Sequence, residues 1–212
     1  MEIPLILKLK KEEYKKIALA QDIIIEELFK IFDNAVLHGG TAIWRCYMGN
    51  RFSEDVDAYI SKDVKKIELF FENLQKKDFT ILKKKISNNS IYSSLEFNRI
   101  NIRFEALFKK EKGILKDYLT AQGNFSIVST LTPEQLIKEK VSAYANRRKI
   151  RDLYDIFFLI KYSDKNEILN SLNKLLESFE KPIDEKDLKV LIIEGIIPEV
   201  KQMLDYIRDS LK

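Results

Sequence analysis

The chain predicts an α/β fold: a mixed β-sheet with flanking helices, followed by a helical C-terminal region. Three observations carry this expectation. Residues 55–60 and 100–108 alternate apolar and polar side chains with period two, as strands do. Residues 15–32 place apolar side chains at helical spacing. From Thr132 to the end only helical patterns occur.

Composition sets the class. The 212 residues suit one large domain or two small ones, and the change of character near Thr132 divides them into 1–130 and 131–212. Hydrophobic residues at 45% and charged residues at 33% describe a soluble globular chain. No apolar run approaches the ~20 residues that span a bilayer. The short apolar stretch near the N-terminus follows Glu2 and lacks a small-residue cleavage site, which argues against a secretory leader. Cys46, the single cysteine, excludes an internal disulfide and a cysteine-cluster zinc site. A cytoplasmic protein without membrane contact is the expectation. The net charge of +4 permits a polyanionic partner without requiring one.

The elements follow in order. The helix over 15–32 ends near Asp33-Asn34. "AVLHGG" is a short apolar run stopped by glycine, a buried strand entering a tight turn, and "TAIWRCYM" fits two helical turns after it. In "DVDAYI", Asp55, Asp57 and Tyr59 share one strand face and Val56, Ala58 and Ile60 the other. "KDVKKIELFFENLQKK" is an amphipathic helix. "FTILKKKI" and "SIYSSLEFN" are strands joined by the polar turn "SNNS". In "INIRFEALF", Asn101, Arg103 and Glu105 oppose Ile100, Ile102 and Phe104. "TPEQ" places Thr132 at a cap, Pro133 at the first helical position and Gln135 where a capping box needs it.

The chemistry gathers around residues 37–60. Asp55 and Asp57 repel one another, and such a pair stays ionised mainly when a cation neutralises it. Carboxylate oxygens select hard cations, so Mg²⁺ or Mn²⁺ is the expected guest. Glu105, on the polar face of a second strand, completes a three-carboxylate set or instead pairs with a neighbour such as Arg103. Gly39 and Gly40 permit close backbone approach, and amides at the start of the next helix can face a phosphate. His38, the only histidine, lacks partners for a zinc site or a catalytic triad and reads as a packing residue.

A Gly-Gly-Thr turn followed by Asp-x-Asp resembles the nucleotidyltransferase fold related to DNA polymerase beta. More narrowly, "LHGGTAIWRCYMGNRFSEDVDAYI" is similar to the AbiEii/AbiGii toxin family, whose members read roughly GGTAL…RFSEDIDL. A second block, "EQLIKEKVSAYANRRKIRDLYDIFFL" (residues 134–159), is similar to that family's lysine-then-RDlyD segment. The resemblance implies a nucleotidyltransferase-type sheet and a metal-dependent enzyme. Such an enzyme transfers NMP from an NTP to an acceptor hydroxyl, on a tRNA 3′ end or a protein, as the toxin of a toxin–antitoxin or phage-defence pair with a cognate antitoxin. It implies that Gly39, Gly40 and Thr41 hold phosphate, that Asp55, Asp57 and Glu105 hold metal, and that Arg51 and Ser53 belong to the nucleotide site. In the second block, Lys140, Arg147 and Arg151 match nucleotide-binding positions, and the resemblance implies that Lys140 and Asp152 are catalytic together with Asp55, Asp57 and Glu105.

On one continuous helix at ~100° per residue, Arg147, Arg151 and Asp155 fall in a stripe and Asp152 falls outside it. A break between Asn146 and Arg151, or a separate role for Asp152, is therefore expected. Arg51 has other uses open to it, in pairing with Glu54 or capping a turn. Two other classes of function compete: a nucleotide-binding regulatory module without turnover, and a basic helical RNA-binding protein whose carboxylates are incidental.

Overall fold

The computed structural model describes residues 4–211. Glu2, on which the reading against a leader rests, lies outside them. The chain forms two compact units, one of residues up to Met48 with Phe52–Thr130, the other of Gly49–Arg51 with residues from Leu131 on. Among the described residues no helix is long and apolar enough to cross a membrane.

The first unit is built on a mixed sheet of seven strands among the described residues. In chain order it runs α1 (Leu5–Lys8), α2 (Glu12–Ile31), β1 (Val36–His38), α3 (Gly39–Cys46), β2 (Val56–Ile60), α4 (Val64–Lys76), β3 (Thr80–Ile86), β4 (Ser90–Phe97), β5 (Ile100–Phe108), β6 (Ile114–Leu119) and β7 (Phe125–Thr130). The spatial order is β3-β4-β5-β2-β1-β7-β6. The β2/β5 and β1/β7 pairs are parallel and the other pairs antiparallel.

Strict alternation in β5 shows what the sheet does. Ile100, Ile102, Phe104 and Ala106 are buried, whereas Asn101, Arg103 and Leu107 are exposed. The buried face packs against α4 through Phe70 and Phe71, whose rings lie 4.8 and 6.4 Å from that of Phe104. Phe32, just after α2, also meets Phe70, with centroids 6.4 Å apart. Each such side chain removed from water contributes about 1.5–3 kcal/mol. The opposite face of β2 and β5 carries the polar residues, and there the carboxylates stand.

The hairpin of β6 and β7 is absent from the sequence-based expectation. Leu115, Phe125 and Ile127 are apolar yet 75, 51 and 69% exposed, so the polar-out signal that marks a half-buried strand is missing.

The second unit is helical: α5 (Pro133–Arg147), α6 (Ile150–Leu159), α7 (Lys165–Glu177), α8 (Leu188–Leu191) and α9 (Val200–Ser210), with short 3-10 turns at Ile160–Tyr162 and Glu185–Asp187. The Thr132/Gln135 capping box opens α5 in both directions. The expected break lies at Arg148, whose φ of 48° is left-handed and ends α5. The Gly49–Arg51 segment is tied into this unit by an antiparallel bridge between Arg51 and Ile192 and by Ile193 N–H donating to the Asn50 carbonyl at 2.8 Å.

Candidate active site

In the sheet unit the carboxylates are placed by strand register. Asp57 of β2 stands opposite Glu105 of β5 and opposite His38 of β1, and Tyr92 of β4 stands beyond Glu105. Register partners on neighbouring strands share a face, so these four form one row across the sheet. His38 stacks flat on Tyr59, with ring centroids 4.1 Å apart, so packing is one of its roles. Its place beside Asp57 is decided by pairing and has no signal in the sequence.

The glycine that ends β1 has a specific reason. Gly39 has φ +73°, and a Cβ there would lie 2.3 Å from an Asp57 carboxylate oxygen. The chain must turn in a conformation open to glycine while the carboxylate sits against its backbone. Gly39→Ala is expected to destabilise the protein by about 1–3 kcal/mol and to displace Asp57. A thermal melt and Mn²⁺ titration of the same variant check both effects.

Thr41 is fully buried, and its hydroxyl donates to the Asp55 carbonyl. Gln21 of α2 donates to the Ser53 carbonyl at 2.8 Å and reaches the Thr41 hydroxyl at 3.3 Å. Together they pin the 53–55 segment that leads into β2. The Thr41 side chain thus positions the carboxylate loop. The His38 cap supplies no side-chain bond to the start of α3.

Asp55 precedes β2 rather than lying within it. Its two oxygens accept from Arg103, Nε at 2.8 Å and Nη2 at 2.5 Å. Arg103 therefore takes Asp55, not Glu105, as its bidentate partner. The Glu105 carboxyl is pushed above its ordinary range, first by burial and then by the neighbouring Asp57, with Arg103 and His38 opposing. This is the electrostatic condition expected of oxygens that gain from a cation. Among the described residues no three acidic, histidine or cysteine side chains are grouped closely enough to hold an ion as they stand. The donor chemistry suits Mg²⁺ or Mn²⁺, and release of Asp55 by Arg103 would complete the set.

The second sequence block forms a charge chain inside the helical unit. Arg147 donates to Asp152 at 2.7 and 2.8 Å. Lys140 stands 3.5 Å from Asp152 and 2.8 Å from Asp155. Arg51 holds Asp155 with two bonds of 2.8 Å. Asp152, Asp155, Arg51 and Lys140 are all buried.

The left-handed break at Arg148 creates this arrangement, because it brings Asp152 within reach of Lys140. Lys140, Arg147, Arg151 and Asp155 consequently do not form the single exposed stripe of a continuous helix. Arg51 pairs with Asp155, 104 positions away, rather than with Glu54. Arg151 makes no ion pair among the described residues, whereas both oxygens of Asp152 are engaged by cations.

Sequence reasoning also missed a buried cation. Arg45 is fully buried in α3, donates to Asp22 and to the Leu119 carbonyl, and lies 4.8 Å from the rings of both Trp44 and Tyr118. Only its partners, far along the chain, explain why an arginine is tolerated there.

A family model described as the nucleotidyl transferase AbiEii toxin of a type IV toxin–antitoxin system matches residues 24–209. The chain belongs to the AbiEii nucleotidyltransferase toxin family. The AbiEii match takes in the carboxylate row, the glycine turn and the helical charge chain alike. Among solved structures the AbiEii chain is similar to the nucleotidyltransferase toxin MenT4 from Mycobacterium tuberculosis H37Rv, at 18% identity and TM-score 0.66, covering 96% of this chain and 85% of that one. It is also similar to JHP933 from Helicobacter pylori, at 17% identity and TM-score 0.60, covering 95% and 90%. At these identities the likeness is one of fold. No curated protein matches the sequence.

Proposed function

We propose that this AbiEii chain transfers NMP from an NTP to an acceptor hydroxyl, on an RNA 3′ end such as that of tRNA or on a protein, as a cytoplasmic toxin with a cognate antitoxin. The observation that carries the reading is the register of Asp57 with Glu105 beside a glycine that admits no side chain. The amides of Gly39, Gly40 and Thr41 face the phosphates. Asp57, Glu105 and, once released, Asp55 hold the cation. A bound Mg²⁺ or Mn²⁺ supplies positive charge to the α-phosphate and acidifies the attacking hydroxyl.

In this reaction the acceptor oxygen forms a bond to the α-phosphorus, the bond from that phosphorus to pyrophosphate breaks, and the hydroxyl proton passes to Glu105. Glu105 suits the base role better than Asp152, because Asp152 is held by Arg147 and Lys140. Ser53 lies in the segment that Gln21 pins ahead of Asp55, and the Arg51 side chain is engaged by Asp155. Within the helical unit, Arg147 and Arg151 are the more accessible candidates for nucleotide contact, and Lys140 is engaged by Asp152 and Asp155.

The test is transfer of label from each α-labelled NTP, with Mg²⁺, into purified tRNA and into cell protein. Label in either pool names acceptor and base together. Absence of label from both, with NTP still bound, favours the regulatory module.

Arg103 gives a second test. Its pair with Asp55 is 44% and 20% exposed, so it is worth little and is readily displaced. Arg103→Gln is expected to raise Mn²⁺ affinity roughly two- to fivefold by removing the competing cation, measured by the electron paramagnetic resonance of free Mn²⁺. An unchanged affinity places the ion on Asp57 and Glu105 alone.

A further inference from the structure

The helical unit contains a cavity of about 440 Å³ that neither the carboxylate row nor the charge chain uses. That volume lies within the range of small-ligand sites. Its walls are unusually aromatic for a surface hollow. Tyr206 of α9 and Phe157 of α6 meet edge to face, with ring centroids 5.1 Å apart and planes at 72°, and Phe158 lines it as well. Tyr206 is 41% exposed, which leaves ring surface open for stacking.

Polar groups converge on the same space. Gln202 uses its carbonyl oxygen to accept from Glu199 N–H at 2.9 Å, so its amide NH₂ remains as a donor. Asn50 lines the cavity from the Gly49–Arg51 segment, where its backbone carbonyl is anchored by Ile193. Lys161 lines it too, with its ammonium 4.3 Å from the Phe158 ring centre. Among the described residues Lys161 makes no ion pair, and the lining holds no carboxylate.

An aromatic corner with an exposed Tyr206 ring, two side-chain amides and one cation without an ion pair suit a planar heteroaromatic group that carries negative charge. We propose that this cavity binds a nucleobase together with its phosphate. The base stacks on Tyr206, the amides of Asn50 and Gln202 meet its edge, and Lys161 meets the phosphate. The choice of a nucleotide rests on the nucleotidyltransferase reading. The ligand is either a free nucleotide or a nucleotide within single-stranded RNA, since both offer the same chemistry.

The test is isothermal titration of the full-length protein in EDTA, so that metal-dependent binding is silent. The probes are AMP, GMP, CMP, UMP, the matching nucleosides and a short single-stranded RNA. Wild type is expected to bind at least one mononucleotide or the RNA. Tyr206→Ala is expected to weaken that binding roughly five- to a hundredfold, as loss of one base stack does, and Tyr206→Phe to restore it. Lys161→Ala weakens the nucleotides and leaves the nucleosides unchanged. Binding by the mononucleotides indicates a free nucleotide, and binding by the RNA alone indicates a nucleic-acid segment.

No binding in EDTA overturns the proposal, and so does binding that Tyr206→Ala and Lys161→Ala leave within twofold. Binding lost in Asp57→Asn also overturns it, by placing the ligand at the carboxylates. If labelled NTP transfers to no acceptor while Tyr206-dependent binding persists, the transferase reading fails and the cavity stands. Transfer without such binding gives the reverse.

Discussion

Asp57→Asn is expected to lower nucleotidyl transfer roughly a thousandfold or more while leaving the melting temperature within a few degrees. The amide is nearly isosteric, so the contact with Gly39, where a Cβ would meet the carboxylate at 2.3 Å, is retained. What changes is charge. The neutral amide would let Glu105 fall back toward its ordinary proton affinity, because Asp57 is the largest of the neighbouring charges raising it. The substitution also removes a hard anionic donor. Mn²⁺ affinity should fall with activity in the same variant. Wild-type transfer rates in Asp57→Asn would sink the assignment of the carboxylate row as the reaction centre.

Asp155→Ala is expected to destabilise the protein by about 3–5 kcal/mol, the cost of stranding buried charge. Asp155 is 1% exposed and holds Arg51 and Lys140 at 2.8 Å each. Its removal leaves a buried guanidinium and a buried ammonium with one carboxylate, Asp152, between them. Chemical denaturation checks the loss.

The same group predicts a pH dependence. Burial raises the proton affinity of Asp155, but Arg51 and Lys140 outweigh it and hold the carboxyl below its ordinary value of 3.8. A carboxyl whose folded value is depressed contributes stability above its unfolded value, and that contribution is lost as pH falls through the folded one. Stability of the wild type should therefore decline as pH drops below about 4. In Asp155→Ala the part of that decline owed to Asp155 should be missing. Parallel acid titrations of both proteins, followed by circular dichroism, separate the two. An equal slope would mean that other carboxylates govern acid unfolding.

Much of the candidate site was legible because its residues are set by local pattern. Gly39 and Asp57 sit in one short segment, and the strand alternation that puts Asp57 and Glu105 on polar faces needs only neighbouring residues. The break after α5 was also legible, since Asp152 falls off the stripe of a continuous helix. Its consequence was not. The left-handed Arg148 delivers Asp152 to Lys140 and Arg147, so a polar stripe became a chain of ion pairs in which Lys140, Asp152 and Asp155 are buried.

Pairings over long separations carried no local signal. Arg103 with Asp55, Arg51 with Asp155 and Arg45 with Asp22 span 48, 104 and 23 positions. The β6/β7 hairpin was hidden for a different reason. Its outer face carries Leu115, Phe125 and Ile127, which remove the polar alternation by which a surface strand is recognised.

The sequence by itself determined the element types outside the β6/β7 hairpin, the sidedness of β2 and β5, the glycine turn and the candidate carboxylates, because periodicity and turn chemistry act between residues a few positions apart. The tertiary structure decided which carboxylate faces which cation. Register between strands and the direction of a chain after a break set those distances, and a buried charge takes whichever partner the fold brings within about 3 Å.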